Sequence, residues 1–398
     1  MIEFSQRLRA LPGYPLAEIP TIKRRLQDAG VDVIDLGAGD NDAPPDDGIV
    51  AAMRAATGEP ALSKYGFQQG LPEYRRAASR WVERRFGVRF DPTAELLPLI
   101  GSKEGLSHLP HAVINPGDVA IVPEPGYQAY LGGSILAGAE VHVVPLRRDQ
   151  GFLVDLDQLP EAVLRRARIV FLNYPNNPTA AIAPRDYLER TLAVCRRHDI
   201  LLAYDNAYCD ITFDGYVAPS IFEFAGARDV AVEFFSLSKS FSLTGWRIGF
   251  AVGRAELIGA LTRVKSYVDT GPWLAVQKAG AAALDQAERL VRPIREAVAR
   301  RRDAAVTALR EAGFEVDVPQ AAMYLWVALP AGMASAAFAR RALETSGVVV
   351  LPGSAFGPAG EGYFRIALVV GEARLAEAAA RLGRMLEQGQ RGALATTA

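Results

Sequence analysis

One stretch of the chain concentrates reactive side chains: Ser236-Leu-Ser-Lys-Ser-Phe-Ser-Leu-Thr-Gly-Trp-Arg-Ile-Gly249. Lys239 follows an apolar run and sits among four serines and a threonine, with Arg247 eight residues on. An amine in a hydroxyl-rich turn suits Schiff-base chemistry, because burial and neighbouring cations favour its neutral, nucleophilic form. Hydroxyls beside an arginine suit a phosphate. A surface lysine in a solvated loop is the plainer alternative, and the apolar run before Lys239 and the Arg247 spacing argue against it.

Three further segments carry polar groups at the ends of apolar runs. In Ala203-Tyr-Asp-Asn-Ala-Tyr208, Asp205 ends a strand pattern, where open α/β sheets gather ligand groups. An acid there can hold a ring nitrogen protonated, and Tyr208 can donate to a phenolate oxygen; taken alone, Asp205 is more often a turn or cap residue. In Asn173-Tyr-Pro-Asn-Asn-Pro-Thr179, prolines fix the backbone so that the amides can be aimed, although a simple turn would look the same. Gly101-Ser-Lys-Glu-Gly105 lies between a strand and a helix pattern. Backbone N–H groups at a helix start bind phosphate and Ser102 adds a hydroxyl, or Ser102 merely caps the helix.

The elements that must position these groups alternate. Strand patterns cover Val31 to Leu36, Glu95 to Ile100, Val119 to Val122, Val141 to Pro145, Ile169 to Leu172, Ile200 to Tyr204 and Val230 to Phe235. Helix patterns cover Leu71 to Phe86, Lys103 to Ile114 and Pro184 to His198. Continuous apolar strands between helices predict an α/β fold with a mostly parallel sheet covered on both faces. After about residue 280 the pattern changes. A long helical stretch from Ala281 to Ala312 is followed by short strands at Phe314 to Val318, Tyr324 to Val327, Gly347 to Leu351 and Phe364 to Leu368. Helices at Ala334 to Thr345 and Glu372 to Gln388 complete a smaller α/β domain.

Composition sets the limits. The chain has 398 residues, 44 Lys+Arg and 45 Asp+Glu, for a formal net charge of -1, which removes the electrostatic case for nucleic acid or an anionic membrane. No uncharged apolar run reaches the ~18–20 residues of a membrane span. The two cysteines, Cys195 and Cys209, cannot form a disulfide framework or a four-thiolate zinc site. The first residues carry no apolar signal region, and a cytoplasmic location is expected.

Together the four segments resemble the fold type I pyridoxal-phosphate aminotransferases of classes I and II, from about Leu11 to Gln388. One departure is Ala180, where that family usually has glycine. The resemblance implies pyridoxal 5′-phosphate as cofactor, with Lys239 as Schiff-base lysine and proton shuttle and Asp205 on the pyridine nitrogen. Tyr208 and Asn177 would contact the ring's phenolate oxygen and Tyr127 would stack on the ring. Ser102, Lys103, Ser236, Ser238 and Arg247 would surround the phosphate. Tyr65 would reach the phosphate of a neighbouring subunit, which implies a homodimer. Arg365 would grip the substrate α-carboxylate, since a guanidinium fork binds a carboxylate in two parallel bonds. The implied reaction moves an amino group between an L-amino acid and a 2-oxo acid by a ping-pong route. A finer resemblance, through Pro12-Gly-Tyr-Pro-Leu-Ala-Glu-Ile19, Asp32 to Asp40 and Gly360 to Leu368, is to the LL-diaminopimelate and N-succinyldiaminopimelate aminotransferase-like branch. It places Tyr14 and Gly39 in the substrate pocket, whereas Asn41-Asp42-Ala43 departs from that branch's commoner sequence.

The expected organisation is an N-terminal segment 1–35 packed with the small domain, a large cofactor domain 36–280, a small domain 281–390 and a disordered tail 391–398. Rival readings have less support. A carbon–sulfur lyase on the same fold would keep Lys239, Asp205 and Arg247, and would release pyruvate and thiol from cysteine conjugates. A transcription regulator's aminotransferase-like domain needs a DNA-binding domain for which the N-terminus leaves no room. A dinucleotide site needs a third glycine that Gly37-Ala-Gly39-Asp-Asn-Asp42 lacks. His108 and His111 share a helix face without a matching ligand cluster, and Arg300-Arg301-Arg302 reads as a solvated face.

Overall fold

The computed structural model describes residues 2–13, 19–67 and 69–396. Its strands are β1 (Ile34–Asp35), β2 (Leu96–Leu99), β3 (Val119–Glu124), β4 (Glu140–Pro145), β5 (Ala167–Leu172), β6 (Leu201–Asp205), β7 (Ala231–Ser236), β8 (Gly249–Gly253), β9 (Tyr324–Ala328), β10 (Val348–Val349), β11 (Leu351–Pro352) and β12 (Tyr363–Ala367). Seven of them form one sheet in the order β2-β8-β7-β6-β5-β3-β4. The sheet is parallel except for β8, which runs antiparallel to both neighbours. The chain between β7 and β8 forms the turn that carries Lys239.

Alternate side chains of the central strands enter two cores, as the two-residue period of a strand requires. Leu172, Leu202, Tyr204 and Phe235 face one core with Tyr74 and Trp81. Phe171, Ala203 and Phe234 face the other with Leu106 and Leu109. The Trp81 and Phe235 rings meet edge to face at 5.2 Å, a preferred aromatic geometry. The helix Pro72–Phe86 that supplies Trp81 starts on a proline and ends at Gly87 with φ 71, the conformation a helix C-terminus favours glycine for.

A third core surrounds the antiparallel sheet β11-β12-β9 and the helices Ser335–Ser346 and Glu372–Thr396. β1 pairs in parallel with β10. Asp32 is tied to Arg374 and Arg381 of the last helix. The first short helix, Gln6–Ala10, lies instead along the helix Gln128–Ala137, where Arg7 donates to the Leu136 carbonyl.

Several elements depart from the sequence pattern. Only Ile34 and Asp35 of the first apolar run pair as a strand. Phe314 to Val318 contributes one bridge, Val316 to Val327, and no strand. The long helical stretch is two helices, Leu274–Asp285 and Ala287–Glu311, parted at Gln286. Gly347 to Leu351 is divided between two sheets. The last helix continues to Thr396, through residues expected to fray. Of the basic run only Arg300 is on a solvated face: Arg301 grips Asp42 with both terminal nitrogens at 2.8 Å, and Arg302 is buried against Asp214, Asp303 and the Phe213 ring. Among the described residues no helix is long and apolar enough to cross a membrane.

Candidate active site

The C-terminal ends of β5, β6 and β7 open onto a cavity of roughly 240 Å³ that also borders the small sheet. Its lining includes Gly39, Ser102, Lys103, Tyr127, Asn177, Asp205, Tyr208, Ser236, Ser238, Lys239, Arg247 and Arg365, twelve of the positions singled out in the sequence. Tyr65 is elsewhere, 71% exposed on the surface. Tyr14 lies outside the described residues.

Lys239 is on a short helix, Leu237–Ser240, whose N-cap Ser236 accepts the Ser238 N–H at 3.2 Å. The Lys239 ammonium donates to the Gly39 carbonyl, which ties the turn to the segment after β1. Asp205, the last residue of β6, is buried. Its Oδ2 accepts from Tyr130 at 2.7 Å, and its Oδ1 has no partner in the protein. Burial pushes the Asp205 carboxyl up to about 6, against the lowering effect of the Tyr130 hydrogen bond. Asn173 donates to the Asp205 carbonyl at 2.7 Å and accepts the Asn177 N–H at 2.7 Å. Asn176 in turn holds Thr179 by two bonds. The asparagine turn is thus a hydrogen-bonded brace between β5 and β6.

Asn177 Oδ1 accepts from Arg365 at 2.8 Å, and Arg365 also donates to the Gly37 carbonyl at 2.6 Å. The Arg365 guanidinium lies 4.2 Å from the Tyr324 ring centroid and 4.9 Å from that of Phe356. Tyr208 and Tyr324 share a hydrogen bond at 3.0 Å. Burial first, then Tyr324, pushes the Tyr208 phenol well above its ordinary range, so Tyr208 stays protonated. Burial does the same to Tyr127.

On the opposite wall, Ser102 opens the helix Ser102–Val113 after Gly101, whose φ is 71. A Cβ on Gly101 would meet the Arg247 guanidinium at 2.6 Å. The backbone conformation at Gly101 therefore favours glycine, and a side chain there would also displace the end of Arg247.

The residue pattern missed three supports. Tyr130 sits one helical turn after Tyr127 and reaches Asp205. Tyr324 lies on the small sheet, far along the chain. Glu233, fully buried on β7, accepts from Asn206 at 2.7 Å and from Ser220, and so braces the residue after Asp205. Of these, the Tyr127–Tyr130 spacing alone was a usable signal.

Comparison with known proteins decides the family. The model of aminotransferase class I and II matches residues 31–382. The chain belongs to this family. A transaminase of Desulforudis audaxviator, named LL-diaminopimelate aminotransferase, is 46% identical over 95% of this chain and 96% of its own length. The protein of that name from Syntrophobacter fumaroxidans is 44% identical over 96% and 98%. The structure of a probable N-succinyldiaminopimelate aminotransferase from Thermus thermophilus superposes with a TM-score of 0.89 at 38% identity, covering 93% of this chain and all of that one. The protein is thus a transaminase of the α/β aminotransferase fold. Against the family's usual glycine, Ala180 adopts φ 59, a left-handed conformation that L-residues rarely take.

Proposed function

We propose that the cavity binds pyridoxal 5′-phosphate and that this transaminase acts on LL-diaminopimelate or a closely related amino acid, as a homodimer. The observation that carries this reading is the pairing of Lys239 with the unpartnered, buried Asp205 Oδ1 across one cavity that also holds Arg365. A buried carboxylate oxygen without a donor fits a protonated ring nitrogen, which would also favour its ionised form. The helix start at Ser102, with Ser236, Ser238 and Arg247, fits a phosphate.

When bound, the cofactor supplies the sink for the electron pair left at the substrate Cα. The residues do the rest. Arg365 takes the α-carboxylate in its fork and fixes the substrate's orientation. Asn177, bonded to Arg365, links that grip to the ring side of the cavity. The Lys239 amine would take the Cα proton and would give it back on the cofactor side of the transferred nitrogen. Asp205 keeps the ring nitrogen protonated while the charge develops, and neutral Tyr208 donates to the ring's oxygen.

The substrate class rests on the relatives' names and identity over nearly full length. The dimer rests on Tyr65 and on the apolar face around it. Phe67 is 71% exposed with its ring 6.0 Å from that of Tyr65, and half-exposed Trp273 donates to the Leu62 carbonyl beside them. Exposed aromatics grouped in this way mark an interface. The two buried thiols fit a reducing cytoplasm.

The test is a panel of amino acids, LL-diaminopimelate included, given to the cofactor-loaded enzyme while spectral conversion of the cofactor is followed. Rapid conversion with LL-diaminopimelate is expected. Conversion by alanine or aspartate alone rejects the substrate assignment, and release of pyruvate and thiol from cysteine conjugates in place of transamination rejects the reaction.

A further inference from the structure

Behind the phosphate side of the cavity lies a charge cluster that no motif announces. Lys265 closes the helix Ala255–Lys265, and its side chain is 0% exposed. Its ammonium meets Glu104 Oε2 at 2.7 Å and Asp269 Oδ1 at 2.9 Å. Glu104 stands in the first turn of the helix Ser102–Val113, two residues after the buried Ser102. The same Glu104 Oε2 accepts the Ile100 N–H at 3.1 Å, and Oε1 lies 2.7 Å from His108 Nδ1. Asp269 Oδ1 also accepts the Gly271 N–H at 2.7 Å, and its Oδ2 is 3.8 Å from His108 Nδ1.

Glu104 therefore has two effects on the segment that meets the phosphate. It satisfies the N–H of Ile100, just past the end of β2, and so fixes the approach to Gly101. It also puts a carboxylate into the helix turn whose N–H groups would meet the phosphate. A negative group at a helix start is stabilising for the helix, but it competes with a phosphate for the same positive potential. Charges partly shielded from water within the same helix turn interact by a free energy worth about tenfold or more in binding.

We propose that Lys265 is a positioning residue for cofactor binding: it offsets the charge of Glu104, with Asp269 as its second partner, and holds Glu104 on Ile100, so that the Gly101–Ser102 turn accepts a phosphate dianion. This rests on the cofactor reading above, and it assigns to a residue outside the cavity the preference for a phosphorylated ligand.

The test titrates the full-length, cofactor-stripped protein with pyridoxal 5′-phosphate and with pyridoxal, which lacks the phosphate. In Lys265→Met, affinity for pyridoxal 5′-phosphate falls about tenfold or more, while affinity for pyridoxal is unchanged. Adding Glu104→Gln and Asp269→Asn to that variant restores the phosphate-dependent affinity, because neither carboxylate that Lys265 met is then left without its cation. If Lys265→Met does not fold, Glu104→Gln alone carries the test: loss of the carboxylate from the first turn of the helix, with Lys265 still held by Asp269, tightens pyridoxal 5′-phosphate several-fold and leaves pyridoxal unchanged. Equal losses for both compounds, or no change for either, overturn the proposal. A parent protein that binds neither compound overturns the cofactor reading itself.

Discussion

The two ends of the cavity are built on different principles. At Asp205 every support comes from the seven-stranded sheet and the segments attached to it: Tyr130 on the carboxylate, Asn173 on the carbonyl, and Glu233 behind Asn206. At Arg365 the supports cross between bodies. The arginine is on β12 of the small sheet, stacks on Tyr324 of the same sheet, and bonds to Asn177 at the end of a large-sheet strand. One end is rigid because neighbouring parallel strands fix it. The other reports the relative placement of two sheets. A cofactor held through many turnovers suits the first, and a substrate that enters and leaves suits the second.

This contrast orders the expected effects of substitution. The largest belongs to Lys239, which serves both ends. Lys239→Ala lowers turnover by about 10⁴-fold, the upper range for a removed general acid–base, measured as single-turnover product formation. Asp205→Asn comes next, with kcat reduced by roughly 10²–10³-fold, as for loss of a preorganised electrostatic group, and with weakened cofactor affinity. Arg365→Lys keeps the charge but loses the fork. KM for the amino acid rises by about 10–100-fold, while the Kd for pyridoxal 5′-phosphate stays at the parent value. Cofactor loss in Arg365→Lys would show that the two ends are not separable.

The smallest effect probes the rigid end through pH. Burial raises the Glu233 carboxyl from its ordinary 4.5 to about 8. Between those values the folded chain holds a proton that the unfolded chain has released, so this group's contribution to stability is greatest at low pH and is lost as pH rises toward 8. Glu233→Gln keeps the bonding partners without the titration. Its melting temperature therefore falls less from pH 5 to pH 8 than that of the parent, by calorimetry or circular dichroism.

The rigid end was also the legible one. Asp205, Asn177 and Lys239 follow apolar strands, and in a doubly covered parallel sheet the strand ends fall beside one another, so local sequence is enough to bring them together. β8 escaped notice because two glycines bracket only three apolar residues, Phe250-Ala-Val252, and its antiparallel pairing is set by β2 and β7. Tyr324 and Lys265 escaped for a different reason. Each contributes through a partner more than a hundred positions away, Tyr208 in one case and Glu104 in the other. Val316 shows the opposite error: an apolar run of strand composition that finds a single bridging partner. Arg302 shows that a charge run on a helix is read correctly only when the acids facing it, here Asp214, are known.

On the proposed function, Lys239 is the amine that holds the cofactor in this cavity. Borohydride reduction of the protein incubated with pyridoxal 5′-phosphate, followed by peptide mass spectrometry, fixes the cofactor to whichever amine carries it. The added mass is expected on Lys239 alone and is lost in Lys239→Ala; labelling of Lys103 or another lysine with Lys239 left unmodified would contradict the assignment.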